Sequence, residues 1–216
     1  MNQLRGLYAI TPESPTHESP LTAQVEQAIA GGARIIQYRN KCGDPDWRLT
    51  EVGALLTLCR AKDIPLIVND DLALAEALGA DGVHLGREDA DPQEARRRLG
   101  PTAIIGVSCY DDLECARNAQ AIGATYAAFG RFFPSGTKPH TVQATPDLLS
   151  RARRELALPL VAIGGITPEN GRSLIQAGAD MLAVVGAVFG RPDIRAAAIA
   201  FTRLFSPEVA ADDPIP

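Results

Sequence analysis

The sequence predicts an α/β fold of the (β/α)8 TIM-barrel class in a single domain, and three observations predict it. Short apolar or β-branched runs alternate with longer amphipathic stretches along the whole chain, eight of each. The runs are near-continuously apolar, as strands of a parallel sheet buried on both faces must be. Finally, the dipeptide Gly-Ala recurs just before the second, fourth, sixth and eighth runs, as Gly32-Ala33, Gly79-Ala80, Gly123-Ala124 and Gly178-Ala179, at intervals of 47, 44 and 55 residues. Glycine there suits a left-handed helix end and alanine a tight turn into the strand. Each repeat thus holds two βα units, and four repeats close a barrel more naturally than they build an open doubly wound sheet.

Strands are expected at 7–10, 34–39, 65–68, 82–85, 103–107, 126–129, 160–163 and 181–185. The intervening patterns predict helices at 21–31, 46–62, 71–78, 91–99, 111–122, 146–156, 168–177 and 192–204. Asp71 and Asp111 read as N-caps, and Thr167 caps a helix whose first position is Pro168. The barrel is expected over 1–205. The tail 206–216, rich in proline and acid without an apolar period, is expected to be mobile.

With 216 residues, 46% hydrophobic and 22% charged, the chain can bury the core of one domain. A net charge of −5 gives no electrostatic reason to expect nucleic acid or an anionic membrane as partner. Cys42, Cys59, Cys109 and Cys115 form no CxxC pair, and three histidines are too few for a zinc cluster, so free buried thiols are expected. The N-terminus lacks the apolar core of a secretory signal and no stretch has the apolar length of a membrane span, so a cytoplasmic location is expected. The sequence leaves the oligomeric state open, a homo-oligomer included.

In a barrel of this class the active site lies at the C-terminal ends of the strands. Gln37, Tyr38, Arg39, Asn40 and Lys41 end or follow the second strand, Asn69 and Asp70 follow the third, and Asp89 the fourth. Ser108 follows the fifth strand, and Arg131, Ser135, Gly136, Thr137 and Lys138 the sixth. Lysine is otherwise rare: Lys41 and Lys138 are two of only three in the chain. Arg39, Lys41 and Lys138, with the amides of Gln37 and Asn69, predict an anion-binding mouth on an acidic protein. Asp70 and Asp89 within that basic rim point to Mg2+, which is held by one or two carboxylates plus substrate phosphates. A general acid/base pair is the competing reading and accounts less well for the cations around it. Asp71, adjacent to Asp70, is assigned the helix cap. Gly164-Gly165 after the seventh strand and Val185-Gly186 after the eighth supply backbone N–H groups at the usual phosphate position of such barrels. Two small phosphorylated ligands are therefore expected, one of them with Mg2+. Cys109 beside Ser108 reads as a buried thiol rather than a nucleophile, and His84 as a packing or hydrogen-bonding residue rather than a base.

The ordered set LYAIT, QYRNK, IVNDDLALAEALGADGVHLGREDAD, IIGVS, FGRFFPSGTK, VAIGGITPEN and ADMLAVV resembles the thiamine-phosphate synthase family over nearly the whole chain. The resemblance implies a transferase that joins hydroxymethylpyrimidine diphosphate to hydroxyethylthiazole phosphate, releasing diphosphate by dissociative substitution with Mg2+. It assigns Gln37, Arg39, Lys41, Asn69, Ser108 and Lys138 to the pyrimidine diphosphate, and Asp70 and Asp89 to Mg2+. Ser135 and Thr137 fall to the thiazole phosphate, with Gly165, Val185 and Gly186 as backbone phosphate contacts. Three positions depart from the family pattern. Arg131 stands where proline is common and either adds a cation near the site or pairs on the surface. Ser135 replaces threonine and keeps a hydroxyl, and Gly186 stands where serine is frequent. These changes bear on thiazole-phosphate binding. A thiazole tautomerase on the same fold would be expected to lack the paired aspartates and the QxRxK loop, which this sequence keeps. A non-catalytic ligand-binding relative is favoured only by the three departures.

Overall fold

A computed structural model describes residues 4–13, 18–41, 44–134 and 143–206. Its eight strands are β1 (Gly6–Ile10), β2 (Ala33–Tyr38), β3 (Leu66–Asn69), β4 (Gly82–Leu85), β5 (Ile104–Tyr110), β6 (Tyr126–Gly130), β7 (Leu160–Ile163) and β8 (Met181–Val184). They close in sequence order, each parallel to its neighbours, with β8 pairing β1. Helices α1 (Leu21–Ala30), α2 (Pro45–Ala61), α3 (Leu72–Leu78), α4 (Pro92–Leu99), α5 (Leu113–Ala121), α6 (Pro146–Glu155) and α7 (Pro168–Gln176) alternate with the strands. After β8 come a four-residue helix α8 (Gly186–Phe189), which the sequence pattern did not suggest, and α9 (Ile194–Arg203).

Side-chain alternation sorts the strands into two cores. One face of each strand packs outward under the helices, with residues such as Ile36, Leu66, Val83 and Phe129 fully buried. The other fills the barrel with Tyr8, Ile10, Ile35, Ile67, Tyr126, Val161 and Met181. Burying each such side chain stabilises the fold by roughly 1.5–3 kcal/mol relative to exposure.

The Gly-Ala repeat has a physical basis at the N-terminal end of the barrel. Gly32, Gly79, Gly123 and Gly178 have φ of 99°, 61°, 80° and 116°, where a side chain is unfavourable. In three of the four repeats the next polar side chain then ties down the preceding strand. Asp81 Oδ2 accepts from Leu66 N at 2.9 Å, Thr125 Oγ1 from Ile105 N at 3.0 Å, and Asp180 Oδ2 from Leu160 N at 2.8 Å.

Two caps form as expected: Asp71 accepts from Leu74 N at 2.9 Å, and Pro168 opens α7 behind Thr167. One expectation is corrected. β5 continues to Tyr110 through a register irregularity between Ser108 and Tyr110. The cap of α5 therefore falls on Asp112, which accepts from Glu114 N and Cys115 N, and not on Asp111.

Candidate active site

Among the described residues, the C-terminal rim collects most of the polar side chains that the sequence placed at the strand ends. Along β2, Ile35 and Gln37 face the barrel interior while Ile36 and Tyr38 face the helices. This alternation gives Tyr38 a different place from the one expected. Its ring is buried in the outer core and its hydroxyl donates to Glu51 Oε2 at 2.7 Å, so it does not reach the mouth. Asn40 lies close to the same carboxylate, its Nδ2 at 3.4 Å from Glu51 Oε2.

Arg39 is fixed from both ends. Its backbone N–H donates to the buried Thr11 Oγ1 at 2.9 Å, and its guanidinium pairs with Glu13 at 3.2 Å. Lys41 Nζ meets Asp70 Oδ2 at 2.7 Å. Asp70 sits at φ 62°, a left-handed conformation that aspartate tolerates better than most residues, as the chain turns off β3. Asp89 reaches the same place from the loop after β4, where its Oδ2 accepts from Gly86 N at 2.7 Å.

The two carboxylates perturb each other in opposite directions. Burial tends to raise Asp70, but the Lys41 ammonium and a hydrogen bond with Asp89 outweigh it and hold Asp70 below the ordinary value. Asp89 is raised by burial and by the neighbouring Asp70, against the lowering effect of the Gly86 N–H. Two adjacent carboxylates that shift each other in this way are a donor set suited to a hard divalent ion.

Lys41 and Asp70 open onto a cavity of about 460 Å³ whose walls also include Asn40, Arg48, Asn69 and Asp71. Arg48, from the first turn of α2, was not singled out by sequence. It binds Asp71 Oδ2 at 2.9 Å, and its Nε is buried with no hydrogen-bond partner among the described residues. Thr11 and Glu13, which follow β1, were not expected from the sequence either.

Ser108 faces the interior and lies 2.9 Å from His84 Nε2. Cys109 points the other way into the outer core, where contact with Cys115 and burial hold its thiol far above the ordinary range. On the opposite side of the mouth, Gly164 and Gly165 have φ of 102° and 65°. The chain at 131–134 lies directly over them, with Phe133 N donating to Gly164 O at 3.0 Å. A Cβ on Gly165 would stand 2.4 Å from Pro134 O. Val185 is the N-cap of α8, and at Gly186 a Cβ would meet nothing within 4 Å, so a serine side chain would fit there. Ser135, Gly136, Thr137 and Lys138 lie outside the described residues, as does the tail from 207 onward.

Similarity to known proteins extends over nearly the whole chain. The profile of the family described as thiamine monophosphate synthase matches residues 7–188. The thiamine-phosphate synthase of Thiobacillus denitrificans is 55% identical over 203 residues, covering 94% of this chain and 96% of that protein. Its counterpart in Azoarcus sp. is 50% identical over 204 residues, covering 94% and 98%. Among solved structures, thiamine phosphate pyrophosphorylase from Pyrococcus furiosus superposes with a TM-score of 0.83 at 34% identity, over 97% of this chain and 98% of that one. A 3-hexulose-6-phosphate synthase shares the fold with a TM-score of 0.65 at 20% identity. With a barrel closed in the order that the repeats predicted and a matching family profile over most of its length, the chain belongs to the thiamine-phosphate synthase family.

Proposed function

We propose that the mouth joins hydroxymethylpyrimidine diphosphate to hydroxyethylthiazole phosphate, forming thiamine phosphate and diphosphate. The observation that carries this reading is the meeting of Lys41, Asp70 and Asp89 beside Arg39 on one rim. Cations and a carboxylate pair occur together where a metal-bound diphosphate would need both. Asp70 and Asp89 would hold Mg2+, which when bound neutralises diphosphate charge and makes it a better leaving group.

The chain's own groups do the rest. Arg39 and Lys41 are held by Glu13 and Asp70, so an arriving diphosphate exchanges those carboxylates for phosphate oxygens. Lys138 joins them as the third cation, and Gln37 and Asn69 offer amide groups to the pyrimidine. The bond from the pyrimidine methylene to the diphosphate oxygen breaks with its electron pair leaving on oxygen. Arg39, Lys41, Lys138 and the Ser108 hydroxyl stabilise the charge that develops there. The thiazole nitrogen then forms the new bond to the methylene carbon. Its phosphate is held by the backbone N–H groups around Gly165, Val185 and Gly186, with Ser135, Gly136 and Thr137 from the loop after β6. No protein nucleophile is needed, in keeping with the buried, raised thiol of Cys109.

The reading includes a cytoplasmic setting, supported by the free thiols of Cys59, Cys109 and Cys115. No helix among the described residues is long and apolar enough to cross a membrane. The test is to mix the purified protein with both substrates and Mg2+ and follow thiamine phosphate and diphosphate. Stoichiometric release of both is expected. No product, together with isomerisation of a thiazole phosphate, would replace this reading with the tautomerase.

A further inference from the structure

Beneath the mouth, five polar side chains from five strands form one continuous hydrogen-bonded line through the barrel interior. Gln37 Nε2 lies 2.7 Å from Tyr8 Oη, and Tyr8 Oη 2.7 Å from Tyr126 Oη. Tyr126 Oη lies 2.9 Å from His84 Nδ1, and His84 Nε2 2.9 Å from Ser108 Oγ. The two ends, Gln37 and Ser108, belong to the mouth, whereas Tyr8 and Tyr126 are fully buried. The space for the middle of the line is built in. A Cβ on Gly106 would stand 2.0 Å from Tyr126 Cζ, so only glycine there admits the tyrosine ring. The Tyr126 ring in turn stacks on His84 with centroids 5.7 Å apart and planes 13° from parallel.

The direction of this line follows from counting protons. An amide N–H can only donate, so Tyr8 Oη accepts from Gln37 and must pass its single proton to Tyr126. Tyr126 Oη then accepts from Tyr8 and passes its own proton to His84 Nδ1. With Nδ1 accepting, the imidazole carries its proton on Nε2 and donates to Ser108 Oγ. Ser108, already accepting, keeps its O–H for another acceptor. Burial raises both phenols well above their ordinary value, so each keeps the one proton the chain requires.

We propose that His84 is a positioning residue. The buried Gln37–Tyr8–Tyr126 line fixes its Nε2–H tautomer, and that tautomer presents the Ser108 hydroxyl as a hydrogen-bond donor to an anionic group in the mouth. Run in the opposite direction, the same five residues would leave His84 Nε2 as an acceptor and turn the serine proton away from the mouth. The proposal rests on the reading of Ser108 as a contact to diphosphate, but its first test needs no substrate.

That test is long-range 1H–15N correlation of the imidazoles in protein labelled with 15N-histidine, His84 being identified by the signal lost in His84→Gln. The expected result is the Nε2–H tautomer in the parent protein at neutral pH. Loss of the single tautomer is expected in Tyr126→Phe, with the melting transition retained; Tyr8→Phe serves if that variant does not fold. An Nδ1–H tautomer in the parent, or an unchanged Nε2–H tautomer in the Phe variant, overturns the proposal. The second arm is kinetic. His84→Gln places an amide donor at the reach of Nε2 and is expected to keep kcat within about threefold, whereas His84→Asn, whose donor stops at the reach of Nδ1, is expected to lose about tenfold or more. Equal loss in the two variants overturns the role of the Nε2–H donor. Absence of turnover in the parent would instead count against the proposed reaction and leave the tautomer result standing.

Discussion

Gly165→Ala tests whether the crossing of two loops at the mouth holds in place the side of the site proposed above for the thiazole phosphate. At φ 65° an alanine costs about 1–2 kcal/mol relative to glycine. Its Cβ would also lie 2.4 Å from Pro134 O and 2.7 Å from Phe133 O, both backbone atoms that no rotamer change can withdraw. Crowding of this kind adds about 1–3 kcal/mol. A combined loss near 3 kcal/mol corresponds to a fall in Tm of roughly 6–12 °C for a chain of this size. If the 133–134 segment yields instead, restoring ordinary contact requires 3.4 − 2.4 = 1.0 Å of movement. A displacement of that size at a binding loop lowers kcat/KM by up to about 100-fold. The assay therefore pairs a melting curve with kinetics in which the thiazole phosphate is varied. Gly186→Ala is the control, since a Cβ there meets nothing within 4 Å. A Gly165→Ala protein that melts and turns over like the parent would refute the reasoning.

Three further outcomes are expected. Asp89→Asn keeps an oxygen for the Gly86 N–H and relieves repulsion from Asp70, so its Mg2+-free Tm should match or exceed the parent's while turnover falls by about 100-fold; unchanged turnover and Mg2+ dependence would remove Asp89 from the metal site. Tyr38→Phe loses a hydrogen bond to a carboxylate and should cost about 1–2 kcal/mol in a urea melt, with KM for both substrates unchanged; a raised KM for the pyrimidine substrate would return Tyr38 to the mouth. The Cys109 thiol lowers Cys115 to about 7 against the opposing effect of burial, whereas burial pushes Cys59 up to about 12. Because the thiolate is the reactive form and grows as pH rises through the pKa, alkylation of native Cys115 should rise with a midpoint near pH 7. Peptide mapping that finds Cys59 labelled faster than Cys115 would contradict that order.

The barrel was legible because its evidence is local and repeated. Apolar runs mark the strands, and glycine recurs where the backbone must take a positive φ before every second one. The rim was legible for a related reason: in a parallel barrel every strand ends on the same side, so residues read after successive runs are brought together without knowledge of contacts. Local pattern failed at Tyr38, which follows Gln37 in sequence but takes the opposite face of a strand whose register is fixed by its neighbours. It failed again at Asp111, because an irregularity in β5 moved the start of the next helix by one cap residue. Arg48 carried no signal, being one charged residue among several on an amphipathic helix until Asp71 is placed opposite it.

The sequence by itself determined the fold, the polar mouth and the residue types that could meet an anion and a divalent ion. Only the tertiary structure decided what stands behind them. Tyr8 and Tyr126 are 118 positions apart and read as ordinary strand residues, yet closure of the barrel puts their hydroxyls 2.7 Å apart. A hydrogen-bonded line from Gln37 to Ser108 depends on which face of each strand turns inward and on how the strands stagger, and no stretch of the chain carries that information alone.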